Sequence, residues 1–169
     1  HRHLPEIAQN LRAVGATDMR KQFDGLAAVS GSSFNLKNEN GEPATARGQR
    51  VTWEFLPLLR VTPLLGRSFT AEDEIDGRHR VVLLGHGFWQ RRFGGDMDVV
   101  GKTIELSEET FEIIGVMPRD FQYPVASERP TEVYTPVRFR NEDKVRGGGR
   151  SYNFIVIGRL KAGVSFEQA

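Results

Sequence analysis

Between four apolar residues, Val81–Leu84, and the arginine pair Arg91-Arg92, the chain sets a histidine flanked by glycines: VVLLGHGFWQRRFGGD, Val81 to Asp96. His86 is the residue type best suited to chemistry here, because flanking glycines let a chain turn sharply and present a side chain at a strand end. Catalysis by histidine needs a nucleophile or a carboxylate within hydrogen-bond reach. The neighbouring sequence supplies neither at a recognisable spacing. A Gly-x-Ser-x-Gly elbow would need serine where the chain reads Gly85-His86-Gly87-Phe88. The pattern therefore predicts a packing joint: a strand, a tight turn at His86, and a helix burying Phe88, Trp89 and Phe93, ended by Gly94-Gly95.

The other candidates are weighed in the same way. The histidines are His1, His3, His79 and His86, and none forms a His-x-x-x-His pair. Asp96 and Asp98 open like a calcium loop, but Val100 and Gly101 follow without further oxygen ligands, so a turn-capping aspartate is expected. Gly147-Gly148-Gly149-Arg150 lacks the Lys-Ser/Thr of a phosphate loop and precedes a strand, which makes it a linker. Glu72, Asp73, Glu74 and Asp76, followed by Arg78 and Arg80, read as a solvated charged loop. Arg91 and Arg92 follow aromatics, a pattern that could serve nucleic acid by stacking and phosphate contact. The near-balance of 23 basic against 22 acidic residues, a formal charge of +1, argues against it. The arginine stems are expected to cover apolar surface with their heads in water. No catalytic, cofactor-binding or metal residue is assigned.

The 169 residues suffice for one ordinary domain or two small intertwined ones. No cysteine is present, which excludes disulfides, cysteine zinc sites and thiol chemistry. No apolar run approaches the ~20 residues that span a bilayer, and no signal peptide is visible. A start at His1 and an end inside a capping box, Ser165 to Gln168, predict a piece of a larger protein.

Around these residues the elements follow from periodicity and punctuation. Leu4, Ile7, Ala8, Leu11 and Val14 recur at helical spacing. Leu26–Leu36 and Ala44–Val51 read as paired strands about an Asn38–Pro43 turn. Thr52 is expected to cap a short helix interrupted by Pro57, and Thr70 with Asp73 and Glu74 to cap another turn. Arg80–Gly85 is a strand and Gly87–Phe93 a helix. Thr103–Leu106 and Phe111–Val116 form a hairpin with a four-residue turn. Val133–Val137 and Phe154–Leu160 are strands, separated by a polar linker, Asn141–Arg150. Hairpins mixed with short helices give an α+β class.

Four blocks in order resemble one family: RVTWEFLPLLRVTPLLGRSFTAEDE; VVLLGHGFWQRRFGGDMDVVGKTIELSEETFEIIGVMPRDFQYP; EVYTPV; and FIVIGRLKAGVSFEQA. It is the extracytoplasmic core domain of MacB-type, FtsX-like ABC transporter permeases. Two departures are the Ser107–Thr110 turn, where the family often has Asn-Gly, and the Gly85-His86 position, where it often has serine. The resemblance implies a porter-like α/β subdomain, residues 1–66 and 148–169, with a small α+β, Sabre-like subdomain inserted at 67–147 together with its return linker. It further implies a periplasmic, non-catalytic domain without cofactors. Its partners would be the parent's transmembrane helices and ATPase, a second copy in a homodimer, and an extracytoplasmic adaptor. The function implied is coupling of cytoplasmic ATP hydrolysis to efflux or mechanical work. The alternative is a ligand- or partner-binding module, with Phe121-Gln122-Tyr123-Pro124 as a candidate aromatic loop in a cleft.

Overall fold

The computed structural model describes residues 23–124, 128–138 and 154–163. The helix expected over Leu4–Val14, His1 and His3, the whole Asn141–Arg150 linker with its glycines, and the helix start at Ser165 lie outside them. The chain runs β1 (Phe23–Lys37), β2 (Pro43–Val51), α1 (Phe55–Leu59), β3 (Leu65–Gly66), a 3₁₀ turn (Ala71–Glu74), β4 (Val81–Leu84) and α2 (His86–Phe93). It continues with β5 (Thr103–Leu106), β6 (Glu109–Val116), β7 (Val133–Pro136) and β8 (Ile155–Leu160). The mixed α/β character agrees with the sequence.

Among the described residues all eight strands belong to one mixed sheet, ordered β3-β6-β4-β7-β2-β1-β8, with β5 also on β6. β2 and β7 pair in parallel, as do β4 and β6, and the remaining pairs are antiparallel. The middle of the sheet explains the unbroken Val81–Leu84 run. Side chains alternate across a strand, so Val82 and Leu84 enter one core with Phe88, Trp89, Ile113 and Val133. Val81 and Leu83 enter a second core on the opposite face with Phe55, Ile114 and Tyr134. All four are buried, because α2 covers one face and α1 with the 121–124 loop covers the other.

Three local expectations change. Thr52 does not cap α1. The N-cap is Glu54, whose side chain makes no capping bond, while the Thr52 hydroxyl accepts the amide of Ala28 at 3.0 Å and is fully buried between strand and helix. Pro57 does not interrupt the helix, since it falls in the first turn, where an amide has no helical partner to lose. The β5–β6 turn is two residues long. Ser107 and Glu108 both have positive φ, 50° and 67°, the twist-matched geometry that two-residue hairpins require. Ser107 is held there by β1: its amide donates to the Asn35 carbonyl (2.7 Å) and its Oγ accepts the Asn35 amide (3.0 Å). The turn forms by tertiary contact in place of the usual Asn-Gly.

Among the described residues Glu108 has no such tether, so its left-handed backbone is an uncompensated cost. Replacing Glu108 with glycine is expected to stabilise the fold by about 1 kcal/mol, read as a higher urea midpoint at unchanged slope. A lower midpoint would show that the Glu108 side chain contributes more than its backbone costs.

Candidate functional site

The residues singled out by sequence fall into three places. The first is the β4–α2 joint. Gly85 is the N-cap of α2 and is extended, with φ −63° and ψ 147°. Its amide donates to the Glu132 carbonyl (2.8 Å), and a Cβ on it would lie 2.6 Å from the Thr131 carbonyl oxygen. Glycine is required by that close approach. His86 begins the helix and packs edge-on against Trp89, with centroids 5.3 Å apart. Among the described residues it makes no hydrogen bond or ion pair. Phe88 and Trp89 are buried and Phe93 is partly buried against the same core. Gly94 closes the helix in the left-handed conformation, φ 60°, where glycine has no Cβ penalty. Trp89 Nε1 donates to the Asp96 carbonyl (2.8 Å), and the Asp96 carboxylate accepts the Asp98 amide (2.9 Å) and Lys102 Nζ (2.6 Å). Lys102 and the Asp98 amide hold the Asp96 carboxyl below its ordinary range. This aspartate caps a turn.

The second place is the acidic segment, which is more ordered than a solvated loop. Asp73 is buried and closes a capping box with Thr70, whose amide it accepts at 2.8 Å. Arg67 grips the same carboxylate through two nitrogens, at 2.9 and 3.3 Å. Glu74 turns inward and accepts the Trp53 amide at 2.7 Å. Beside it is a residue that the sequence did not distinguish: both carboxylate oxygens of Glu54 are buried without a hydrogen-bond partner among the described residues. Burial pushes Glu54 up to about 7, against weaker opposing pulls from its own amide and the Thr52 hydroxyl. Burial pushes Glu74 up to about 8; the Trp53 amide opposes this, and the charges of Glu54 and Asp73 add to it. A sequence signal was available only in part: an acid directly before the apolar run Phe55-Leu56 has little room to reach water.

The third place is the aromatic loop. Phe121 and Tyr123 turn their rings onto Phe55, with centroids at 6.2 and 5.3 Å, and Phe121 also meets Tyr134 at 5.9 Å. The Tyr123–Pro124 peptide is cis, and the Tyr123 carbonyl accepts the Thr131 hydroxyl at 2.6 Å. These rings pack the second core rather than lining an open cleft. Arg159 on β8 donates to the Leu58 carbonyl at the end of α1, tying the sheet edge to the same layer. Among the described residues, no group of three or more histidine and carboxylate side chains could hold a metal ion. No helix among them is long and apolar enough to cross a membrane.

The sequence model of a family described as MacB-like periplasmic core domain matches residues 5–169. Among curated proteins none matches the chain. Among solved structures, the periplasmic region of MacB from Actinobacillus actinomycetemcomitans aligns with a TM-score of 0.65 at 18% identity, over 99% of this chain and 69% of that one. The extracellular domain of the noncanonic ABC-type transporter YknZ from Gram-positive bacteria aligns with a TM-score of 0.60 at 17% identity, over 89% of this chain and 73% of that one. At these identities the likeness is one of fold.

Two outcomes test this geometry. Gly85→Ala is expected to cost more than about 2 kcal/mol, by forcing the β4–α2 joint away from Thr131. His86→Ala should cost about 1 kcal/mol or less. A larger loss at His86 in chemical denaturation would give it a role beyond packing. The carboxylates predict a pH dependence. Their folded pKa values lie above the unfolded value, so the folded state holds more protons between roughly pH 4.5 and 8, and stability falls as pH rises through that window. Melting temperature should therefore drop from pH 5 to pH 8.5, and Glu54→Gln should flatten the drop. A wild-type melting temperature flat across the window would contradict the burial of both groups.

Proposed function

The chain belongs to the family of MacB-like periplasmic core domains, and on that premise we propose that it transmits force outside the membrane for an ABC transporter permease. The match of the family over residues 5–169 carries this reading. As a member of that family the chain is an extracytoplasmic domain of a membrane permease, whose partners are the transmembrane helices and the ATPase. ATP hydrolysis in the cytoplasm would move two such domains, one from each permease of a homodimer, and that motion would expel substrate or act on an adaptor protein. No step of chemistry is assigned to the domain itself.

A domain that transmits force must deform little between its points of attachment. The continuous sheet supports this part of the reading. In the proposed division, residues 1–66 and 148–169 form a porter-like unit and 67–147 an inserted one, and the β2–β7 ladder would be the seam between them. Gly48–Val51 pair there with Val133–Pro136. Val51 and Val133 are fully buried at the seam. A motion entering at β1, β2 and β8 would pass to β4 and β6 through main-chain hydrogen bonds rather than through a flexible tether.

The absence of cysteine from this chain makes a direct test simple. Met97 lies on the surface turn after α2, 65% exposed. A spin label at Met97→Cys in the parent permease, reconstituted with its ATPase in a bilayer, should report a distance between two copies that changes between nucleotide-free and ATP-trapped states. An unchanged distance in every nucleotide state of a hydrolysing complex would sink the coupling and leave a binding module.

A further inference from the structure

The edge of β2 that faces β7 is only half used. β7 pairs with Gly48–Val51. One residue earlier, the Glu132 amide donates to the Arg47 carbonyl (2.9 Å) and the Glu132 carboxylate accepts the Arg47 amide (3.0 Å). Both backbone groups of Arg47 therefore face the β7 side. Alternate residues along an antiparallel strand turn their main-chain groups the same way, so Thr45 directs its amide and carbonyl to that side too. Its partner across the hairpin confirms the phase. Asn35, registered opposite Thr45, sends its own amide and carbonyl outward to Ser107. Beside Thr45, however, β7 has not yet begun. Among the described residues no group meets the Thr45 amide or carbonyl, and Thr45 is exposed.

This open edge lies on a groove of about 380 Å³ between the β1–β2 tip and α2. Phe88 and Leu36 give the groove an apolar lining, and Arg91 and Arg92 give it charge. Arg92 is anchored through Nη2 to the Lys37 carbonyl (2.7 Å). Arg91 reaches Glu132 only at 3.5 Å, and that carboxylate is shared with Arg47 at 3.8 Å and with the Arg47 amide. A guanidinium carries five donors, so most of those on Arg91 and Arg92 remain to be used. The charged side chains that line the groove are Arg91 and Arg92 with Glu132 and Glu39, and Glu132 is already engaged by Arg47 beside the groove.

We propose that the Thr45 edge and the Arg91-Arg92 groove accept an extended, acidic segment of a partner protein as an added β-strand. Main-chain bonds to Thr45 would hold it, and alternate side chains would fall toward the helix. There an apolar side chain meets Phe88 and Leu36 and a carboxylate meets the arginines, by charge-assisted, bidentate bonding. The site limits its own length. Pro43 has no amide to continue the ladder, and the Glu132 carboxylate already closes Arg47, so only a short strand fits. A second copy of this chain is a poorer occupant, since pairing two such edges would bring the arginine pairs together. The inference is independent of whether ATP moves the domain.

The probe is a ten-residue peptide with valine and glutamate at successive positions on one face and threonine on the other. Its control replaces each glutamate with lysine. Titrated into the 169-residue chain, the acidic peptide should bind at least about tenfold more tightly than the control, and the Thr45 amide should gain protection from hydrogen exchange. Thr45→Pro removes that outward amide while leaving the β1–β2 ladder bonds intact, and should abolish the protection and weaken binding. Arg91→Ala with Arg92→Ala should erase the preference for the acidic peptide; far-ultraviolet circular dichroism checks that each variant is folded. Binding without protection of Thr45 would overturn strand addition and leave a carboxylate site only. Protection that rises with protein concentration in the absence of peptide would make a second copy the occupant. No discrimination between the two peptides by the wild-type chain would overturn the proposal outright.

Discussion

Burial of β4 on both faces and along both edges is the constraint on which the rest of the structure depends. Four residues, Val81–Leu84, contribute side chains alternately to two separate cores, and β6 and β7 take both edges. A strand in that position favours apolar residues throughout, and it must leave the sheet abruptly at its end. Gly85 makes that exit. It approaches Thr131 so closely that any side chain would collide, and the helix that follows lies back over the face that Val82 and Leu84 present. Rapid turn, close backbone approach and helix cover are consequences of one demand, and they account for the glycine before His86 without reference to catalysis.

The two faces are closed by different means. On one, α2 brings Phe88 and Trp89 over the sheet, and the indole is fixed by the carbonyl of Asp96 beyond the helix end. On the other, α1 has only five residues, too few to cover the sheet alone. The rings of Phe121 and Tyr123 complete the layer around Phe55, and Arg159 bonds to the helix end from β8. A short helix with an acid at its N-cap also explains the buried carboxylates. Glu54 enters the layer along with its apolar neighbours, and desolvation rather than a specific partner sets its protonation. Glu74, across from it, is brought in by the Trp53 amide. The cost of burying both falls as pH drops, so this layer is tightest in acid.

The joint between β2 and β7 gives the architecture its mechanical interest. Strands far apart in sequence, Gly48–Val51 and Val133–Pro136, pair in parallel and make one sheet of what the family resemblance divides into two units. The same joint is shorter than β2 itself. Where it ends, main-chain groups at Thr45 and the arginines of α2 face a common groove, so the seam that would stiffen the domain also leaves an edge on which another protein could dock.

Much of this was legible in the amino-acid sequence because it depends on neighbours along the chain. The Val81–Leu84 run, the glycine stop after Phe93, the Thr70–Asp73 box and the hairpin strands each follow from local sterics, periodicity or capping. The blocks that resemble the permease family lay in the same order. Tertiary structure decided what depends on residues distant in sequence. Thr52 lost its capping role because Ala28 offered a buried amide. Ser107 and Glu108 accepted left-handed backbones, Ser107 with Asn35 tethering it. The Phe121-Tyr123 loop turned inward because Phe55 needed cover. The open stretch of β2 exists because its parallel partner, some 85 residues later, begins only after Glu132. Local rules determine which backbone a segment prefers, whereas the edges left unpaired and the carboxylates left dry are settled only when distant segments compete for the same contacts.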